Sequence, residues 1–164
     1  MKFEIRQTTL NQATQGTHDA LLVLWPDAAQ ALGALSDWVQ QARRQGDFKA
    51  AAGSVLQSYG MTGVKPRTVV VAACGQGQAK ELRKAVRAAW AAIKSAPIKS
   101  LAVFWAGAEL SAQALQAIAT ELADASYAYA STLSKPQVRQ LARVTLALPQ
   151  VDAAQQVAVQ QAQA

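Results

Sequence analysis

The chain has 164 residues, 51 % of them hydrophobic and 16 % charged, with a formal net charge of +6 and a pI near 9.8. That length suits one domain with a sizeable core, and so low a charge content excludes disorder over most of it. No apolar run approaches the ~20 residues of a membrane span, and the single cysteine, Cys74, excludes an internal disulfide framework, so a cytoplasmic setting is expected.

Met1 to Gln7 alternates Phe3 and Ile5 with Lys2, Glu4 and Arg6. That is the pattern of a half-buried or edge strand, and it lacks the apolar core of a signal peptide. Thr8 to Thr17 is polar and reads as a loop. Ala20 to Trp25 is a continuous apolar run, a buried strand closed by Pro26. Asp27 stands where a helix N-cap belongs, and Gln30 three residues on makes a partial capping box. Leu32, Leu35, Val39 and Ala42 follow at helical spacing, with Trp38 beside them. Arg43 and Arg44 suit the last turn of that helix and Gly46 its stop.

Gly53 to Tyr59 reads as a short strand, and Gly60 to Pro66 as a turn into an antiparallel partner, Arg67 to Ala73. The Arg67–Ala73 run is apolar without a break, as in strands buried on both faces, and is expected at the centre of a sheet. Gly75 and Gly77 make the turn into a helix over Ala79–Ser95. Pro97 then breaks the chain. Ser100 to Trp105 is another buried strand, closed by Gly107. Ser111 caps a helix whose apolar positions are Leu115, Ile118, Leu122, Ala125 and Tyr129, fading before Lys135-Pro136. Val138 to Leu148 is the last strand, with Val144, Leu146 and Leu148 on one face, ended by Pro149. From Asp152 an Ala/Gln-rich tail starts a helix without a stop signal, the expectation for an N-terminal domain cut from its neighbour. The alternation of strands and helices predicts an α/β fold, a three-layer αβα sandwich around a mixed, mostly parallel sheet. Residues 1–150 form the domain, and 151–164 begin a helical linker.

Few residues offer chemistry. His18 and Cys74 are far apart in sequence, and neither stands in a cluster with zinc-like spacing. Glu121 and Asp124 lie three apart on one helix face, where a solvated surface is the ordinary outcome. Cys74 closes an apolar strand, which favours a buried and inert thiol over a nucleophile. The strand–Gly75-Gln-Gly77–helix turn has the form of a phosphate-binding turn, but a dinucleotide fingerprint needs glycine where Lys80 stands. Lys80, Arg83, Lys84, Arg87 and Lys94 share the polar face of the following helix, opposite Leu82, Val86, Ala89, Trp90 and Ile93. Five cations on one face can attract phosphates in a salt-dependent way, although no aromatic residue interleaves with them. No catalytic residue and no metal ligand is assigned.

The chain resembles the N-terminal domain of bacterial leucyl aminopeptidases, the dimetal cytosol aminopeptidase family. The resemblance runs through Met1–Gln7, Ala20–Trp25, the helix ending near Gly46, Val69–Gly75, Ser100–Trp105, the alanine-rich helix with Tyr127 and Tyr129, and Arg143–Leu148. It implies a macro-domain-like αβα sandwich joined by a long helix to a catalytic domain. In that family the catalytic domain binds two divalent metals, zinc, manganese or magnesium, and releases N-terminal residues, leucine especially, from peptides. Full-length relatives form hexamers, and some bind DNA in part through this domain. None of the family's metal-ligand segments is present, so the resemblance implies a chain without peptidase activity of its own. Three readings follow: an accessory structural domain of a leucyl aminopeptidase, a DNA-binding module on the 79–95 helix, and a nucleotide or ADP-ribose binder at Gly75–Gly77.

Overall fold

A computed structural model of the chain describes residues 2–29, 33–94, 96–132 and 141–163. Six strands and five helices follow in the order β1 (Lys2–Gln7), α1 (Leu10–Thr14), β2 (Ala20–Trp25), α2 (Ala34–Gln45), β3 (Val55–Tyr59), β4 (Thr68–Ala73), α3 (Ala79–Ile93), β5 (Ser100–Trp105), α4 (Ala112–Thr132), β6 (Arg143–Leu148) and α5 (Ala153–Gln163). One sheet holds all six strands in the order β1-β6-β5-β2-β4-β3. Every neighbouring pair is parallel except β3 with β4, the hairpin expected from the Gly60–Pro66 turn.

Side chains alternate across the sheet, so each strand feeds two cores. Leu22, Leu24, Val70, Ala72, Leu101, Val103, Val144, Leu146 and Leu148 meet α3, α4 and α5 on one face. Leu21, Val23, Val69, Val71, Ala102 and Phe104 meet α1 and α2 on the other. Burial on both faces is why β2 and β4 read as unbroken apolar runs. The middle of the sheet belongs to β5 and β2, however. The strand expected at the centre, β4, lies one place from the edge because the hairpin spends β3 outside it.

On α3, Leu82, Ala85, Val86, Ala89, Trp90 and Ile93 are buried. Their spacing of three and four residues makes the apolar stripe of a helix lying on a sheet. On α4, Ser111 Oγ accepts from the Ala114 N–H at 3.0 Å, the expected cap. At α5, the Asp152 N–H donates to Gln155 Oε1 and the Gln155 N–H to Asp152 Oδ1, both at 2.8 Å, a reciprocal capping box. Gln155 Nε2 also donates to the Leu110 carbonyl at 2.6 Å, and Ala158 and Val159 are buried. Helix α5 thus packs on α4 and β1.

Two segments differ from the sequence reading. Thr8–Thr17 contains α1, started by a capping box in which Thr9 Oγ1 accepts from the Gln12 N–H and Gln12 Oε1 from the Thr9 N–H. Helix α2 starts at Ala34, with Gly33 as N-cap, not after Asp27. The Asp27 N–H instead donates to the Gly75 carbonyl at 2.8 Å, which ties this segment to the glycine turn. The helix does end at Gly46. Gln30, Leu32, Ser95, Lys135, Pro136 and residues 138–140 lie outside the described residues, as do the side chains of Tyr127 and Tyr129.

Candidate functional site

In open α/β sheets, ligands bind outside the carboxyl ends of the strands, where the chain reverses its direction of winding. Here β2 is followed on one side by β4, and α3 then carries the chain across to β5 on the other. The crevice at that point is bordered by Pro26–Asp27, the Cys74–Gln78 turn and Ala106–Gly107. Gly75 and Gly77 both have positive φ, 56° and 79°, as a tight strand-to-helix turn requires.

Side chains of the protein itself fill the crevice from two sides. The Glu81 carboxylate lies under the turn and accepts from the Gln76 N–H at 3.2 Å and the Gln78 N–H at 3.4 Å. A Cβ at Gly75 would collide with Glu81 Oε2, so the first glycine makes room for this carboxylate. The indole of Trp105 sits against the second. A Cβ at Gly77 would stand 2.8 Å from Trp105 Cη2, and one at Gly107 would stand 2.7 Å from Cε2 and Cζ2. A phosphate entering this turn must therefore displace a carboxylate from its amide donors. A cavity of about 400 Å3 lies to one side, between Thr9, Asn11, Trp105, Glu109 and Gln150.

Cys74 leads into the turn and is fully buried. Burial, reinforced by the nearby Glu81 and Asp27 carboxylates, pushes its thiol up to about 12. It stays protonated at neutral pH and is a poor nucleophile. His18 precedes β2, whereas Cys74 follows β4, and these strands run parallel with Ala20 opposite Thr68. The two residues are therefore some eight residues, about 25 Å, apart along the sheet, and no Cys–His pair forms. His18 is half-buried. Burial, with Arg6 and Arg143 nearby, lowers its pKa from 6.5.

All five cations of α3 are exposed. Arg87 Nε donates to Glu121 Oε1 of α4 at 2.8 Å, so one carboxylate of the Glu121 and Asp124 face is engaged by a guanidinium. The stem of Lys84 lies within 3.3 Å of where a Gly53 Cβ would stand. Among the described residues no group of three or more His, Cys, Asp or Glu is placed to hold a metal ion. Among the same residues no helix is long and apolar enough to cross a membrane.

Comparison with known proteins places the chain in a family. Residues 19–136 match the model of the cytosol aminopeptidase family, N-terminal domain. The "Probable cytosol aminopeptidase" of Acidovorax sp. (strain JS42) is 36 % identical over 158 residues, covering 94 % of this chain and 31 % of that protein. The protein of the same name from Albidiferax ferrireducens is 37 % identical over 149 residues, covering 90 % of this chain and 31 % of its own length. A tomato leucine aminopeptidase mutant superposes with a TM-score of 0.74 at 17 % identity, over 99 % of this chain and 35 % of the tomato one. The bottromycin maturation enzyme BotP, in complex with Mn, gives 0.59 at 24 % identity, over 89 % of this chain and 29 % of BotP. These two likenesses establish the fold. The chain spans about a third of the length of the curated relatives it matches.

Proposed function

The chain belongs to the cytosol aminopeptidase family as its N-terminal domain, and from that premise we propose that it serves a metal-dependent leucyl aminopeptidase as a non-catalytic, structural domain. The parent protein releases N-terminal amino acids, preferably leucine, from peptides in the cytoplasm. Its two divalent metals, zinc, manganese or magnesium, are held by the catalytic domain, in keeping with the lack of any group of three or more His, Cys, Asp or Glu placed for a metal ion among the described residues. Residues 1–150 form the accessory unit, 151–164 begin the helical connection, and the parent assembles as a homo-hexamer. The observation that carries this reading is full-length similarity to a third of the aminopeptidase relatives. Docking of α5 through Gln155 and Val159 adds a physical reason. It gives the connection a fixed direction as it leaves the domain. The test replaces the corresponding third of the Acidovorax relative with this chain. The chimaera should be soluble, hexameric by light scattering and active on a leucine chromogenic amide, whereas deletion of that third should lose assembly. Equal assembly in both would sink the structural role.

A second reading rests on the exposed face of Lys80, Arg83, Lys84, Arg87 and Lys94: the domain binds DNA along α3. Three neutralised phosphates would give a log–log salt slope of roughly −2.7. Replacing Lys80, Arg83 and Lys84 by glutamine should remove that much slope, and unchanged DNA affinity would end this reading. Nucleotide or ADP-ribose binding at Gly75–Gly77 is the weakest proposal, because Glu81 and Trp105 occupy the space a ligand needs.

A further inference from the structure

A second cavity lies at the opposite, N-terminal end of the parallel strands, and we propose that it binds a nucleotide, with the phosphate on Lys65 and Arg67 and the base on Tyr59. It encloses about 460 Å3, space for one such ligand. The β3–β4 hairpin forms one wall, with Tyr59, Lys65 and Arg67. His18 and Asp19 before β2, and Ile98 after α3, complete it.

Positive charge predominates in this cavity, two cations against one carboxylate. Lys65 and Arg67 are exposed, and the acid beside them is already engaged. Asp19 Oδ2 accepts from the Lys99 N–H at 2.8 Å and the Ser100 N–H at 3.2 Å. The C-terminal end of α3 turns its carbonyl dipole toward this end of the sheet, where Lys94 at the cap offsets it. An entering phosphate therefore meets two cations against one carboxylate, whose Oδ2 is held by two amides.

Tyr59 supplies the second half of the site. Its side chain is 62 % exposed, which is unusual for a large ring among the described residues. It stands directly opposite Thr68 across the hairpin and bonds Gln57 Nε2 through its hydroxyl. An exposed ring beside two cations combines a stacking platform with phosphate attraction. That is the aromatic interleaving absent from α3. The hairpin is also held in place. The Gly60 N–H donates to the Arg67 carbonyl at 2.8 Å, the Lys65 N–H to the Thr14 carbonyl at 2.8 Å, and Gln15 Nε2 to the Gly63 carbonyl at 2.8 Å. Little ordering is left for the ligand to supply.

The test uses AMP and, as a probe without a base, ribose 5-phosphate, titrated into the whole chain by calorimetry and amide-shift mapping. AMP should bind saturably, with shifts confined to residues around 18, 59, 65–68 and 98. Lys65→Gln with Arg67→Gln should weaken both probes by about tenfold or more. Tyr59→Ala should weaken AMP by roughly fivefold or more, and leave ribose 5-phosphate unchanged. Lys80→Gln with Arg83→Gln should change neither. All these positions are exposed, and urea unfolding of each variant checks that it is folded. Absence of saturable AMP binding would overturn the proposal. So would shifts centred on the Gly75–Gly77 turn, or an equal loss in the α3 variant.

Discussion

Replacing Gly77 by alanine tests whether the glycine turn is shaped around Trp105 rather than around a ligand. Two costs act there. At φ 79° a Cβ brings left-handed strain of about 1–2 kcal/mol. The same Cβ would stand 2.8 Å from Trp105 Cη2 and 3.5 Å from Cζ2. The indole is buried at 5 % exposure, so overpacking adds about 1–3 kcal/mol. The sum is about 2–5 kcal/mol, a large part of the roughly 5–15 kcal/mol that holds a domain together. Two controls separate the costs. Gly60 has φ 61° with nothing within 4 Å of its Cβ position, and so carries strain alone. Gly107 meets Trp105 at 2.7 Å without a positive φ, and so carries the clash alone. At ~2–4 °C per kcal/mol for a domain of this size, Gly77→Ala should melt about 2–12 °C below Gly60→Ala. Trp105→Phe should rescue Gly77→Ala, because the close atoms all belong to the six-membered ring that phenylalanine places differently. The Trp105 Nε1 group has no hydrogen-bond partner among the described residues, so the exchange sacrifices no such bond. Thermal and urea unfolding of the five variants measures the cycle. Equal losses for Gly60→Ala and Gly77→Ala, or no coupling with Trp105→Phe, would show that the turn is not shaped around Trp105.

Three further outcomes are expected. Because the Cys74 thiol is pushed up to about 12 in the fold, the unfolded chain releases its proton first as pH rises past ~9. Stability present below that pH should then decline by about 1.4 kcal/mol per unit up to pH ~12. Cys74→Ala should remove that slope, and an identical slope in the variant would contradict it. His18 should titrate below 6.5 by NMR, because burial, Arg6 and Arg143 oppose its charge. Its contribution to stability is thus present above pH 6.5 and fades as pH falls below it, and a measured pKa above 6.5 would be inconsistent with its surroundings. Asp152→Ala removes the cap of α5 and should cost about 1 kcal/mol, with hydrogen exchange accelerated in residues 153–163 before any other helix. Uniform acceleration would show that α5 does not open as a separate unit.

What the sequence disclosed depended on how local the cause was. The strands were readable because burial on both faces leaves no polar residue in Leu21–Trp25 or Val69–Ala73. The ends of α2 and α4 were readable because Gly46 and Ser111 act within one turn. Helix α1 has a weak signature although Thr9-x-x-Gln12 is a capping box, because only Leu10 and Ala13 give its five residues an apolar side. Asp27 resembled a cap, but its N–H is committed to Gly75, nearly fifty residues away, and no local pattern shows that. The candidate sites divide in the same way. The cation face of α3 is a helical repeat and is visible in one dimension. The filling of the glycine turn needs Trp105, which comes from the next strand. The Tyr59–Lys65–Arg67 cavity draws on His18 and Ile98 from separate loops and has no signature in the chain.

On the function proposed above, this domain supports an aminopeptidase without performing its chemistry. The most direct measurement is hydrolysis of a leucine chromogenic amide by the purified chain with manganese or zinc supplied. The expected result is no turnover above background at any protein concentration. Turnover proportional to the protein and abolished by a chelator would show that the domain is itself catalytic.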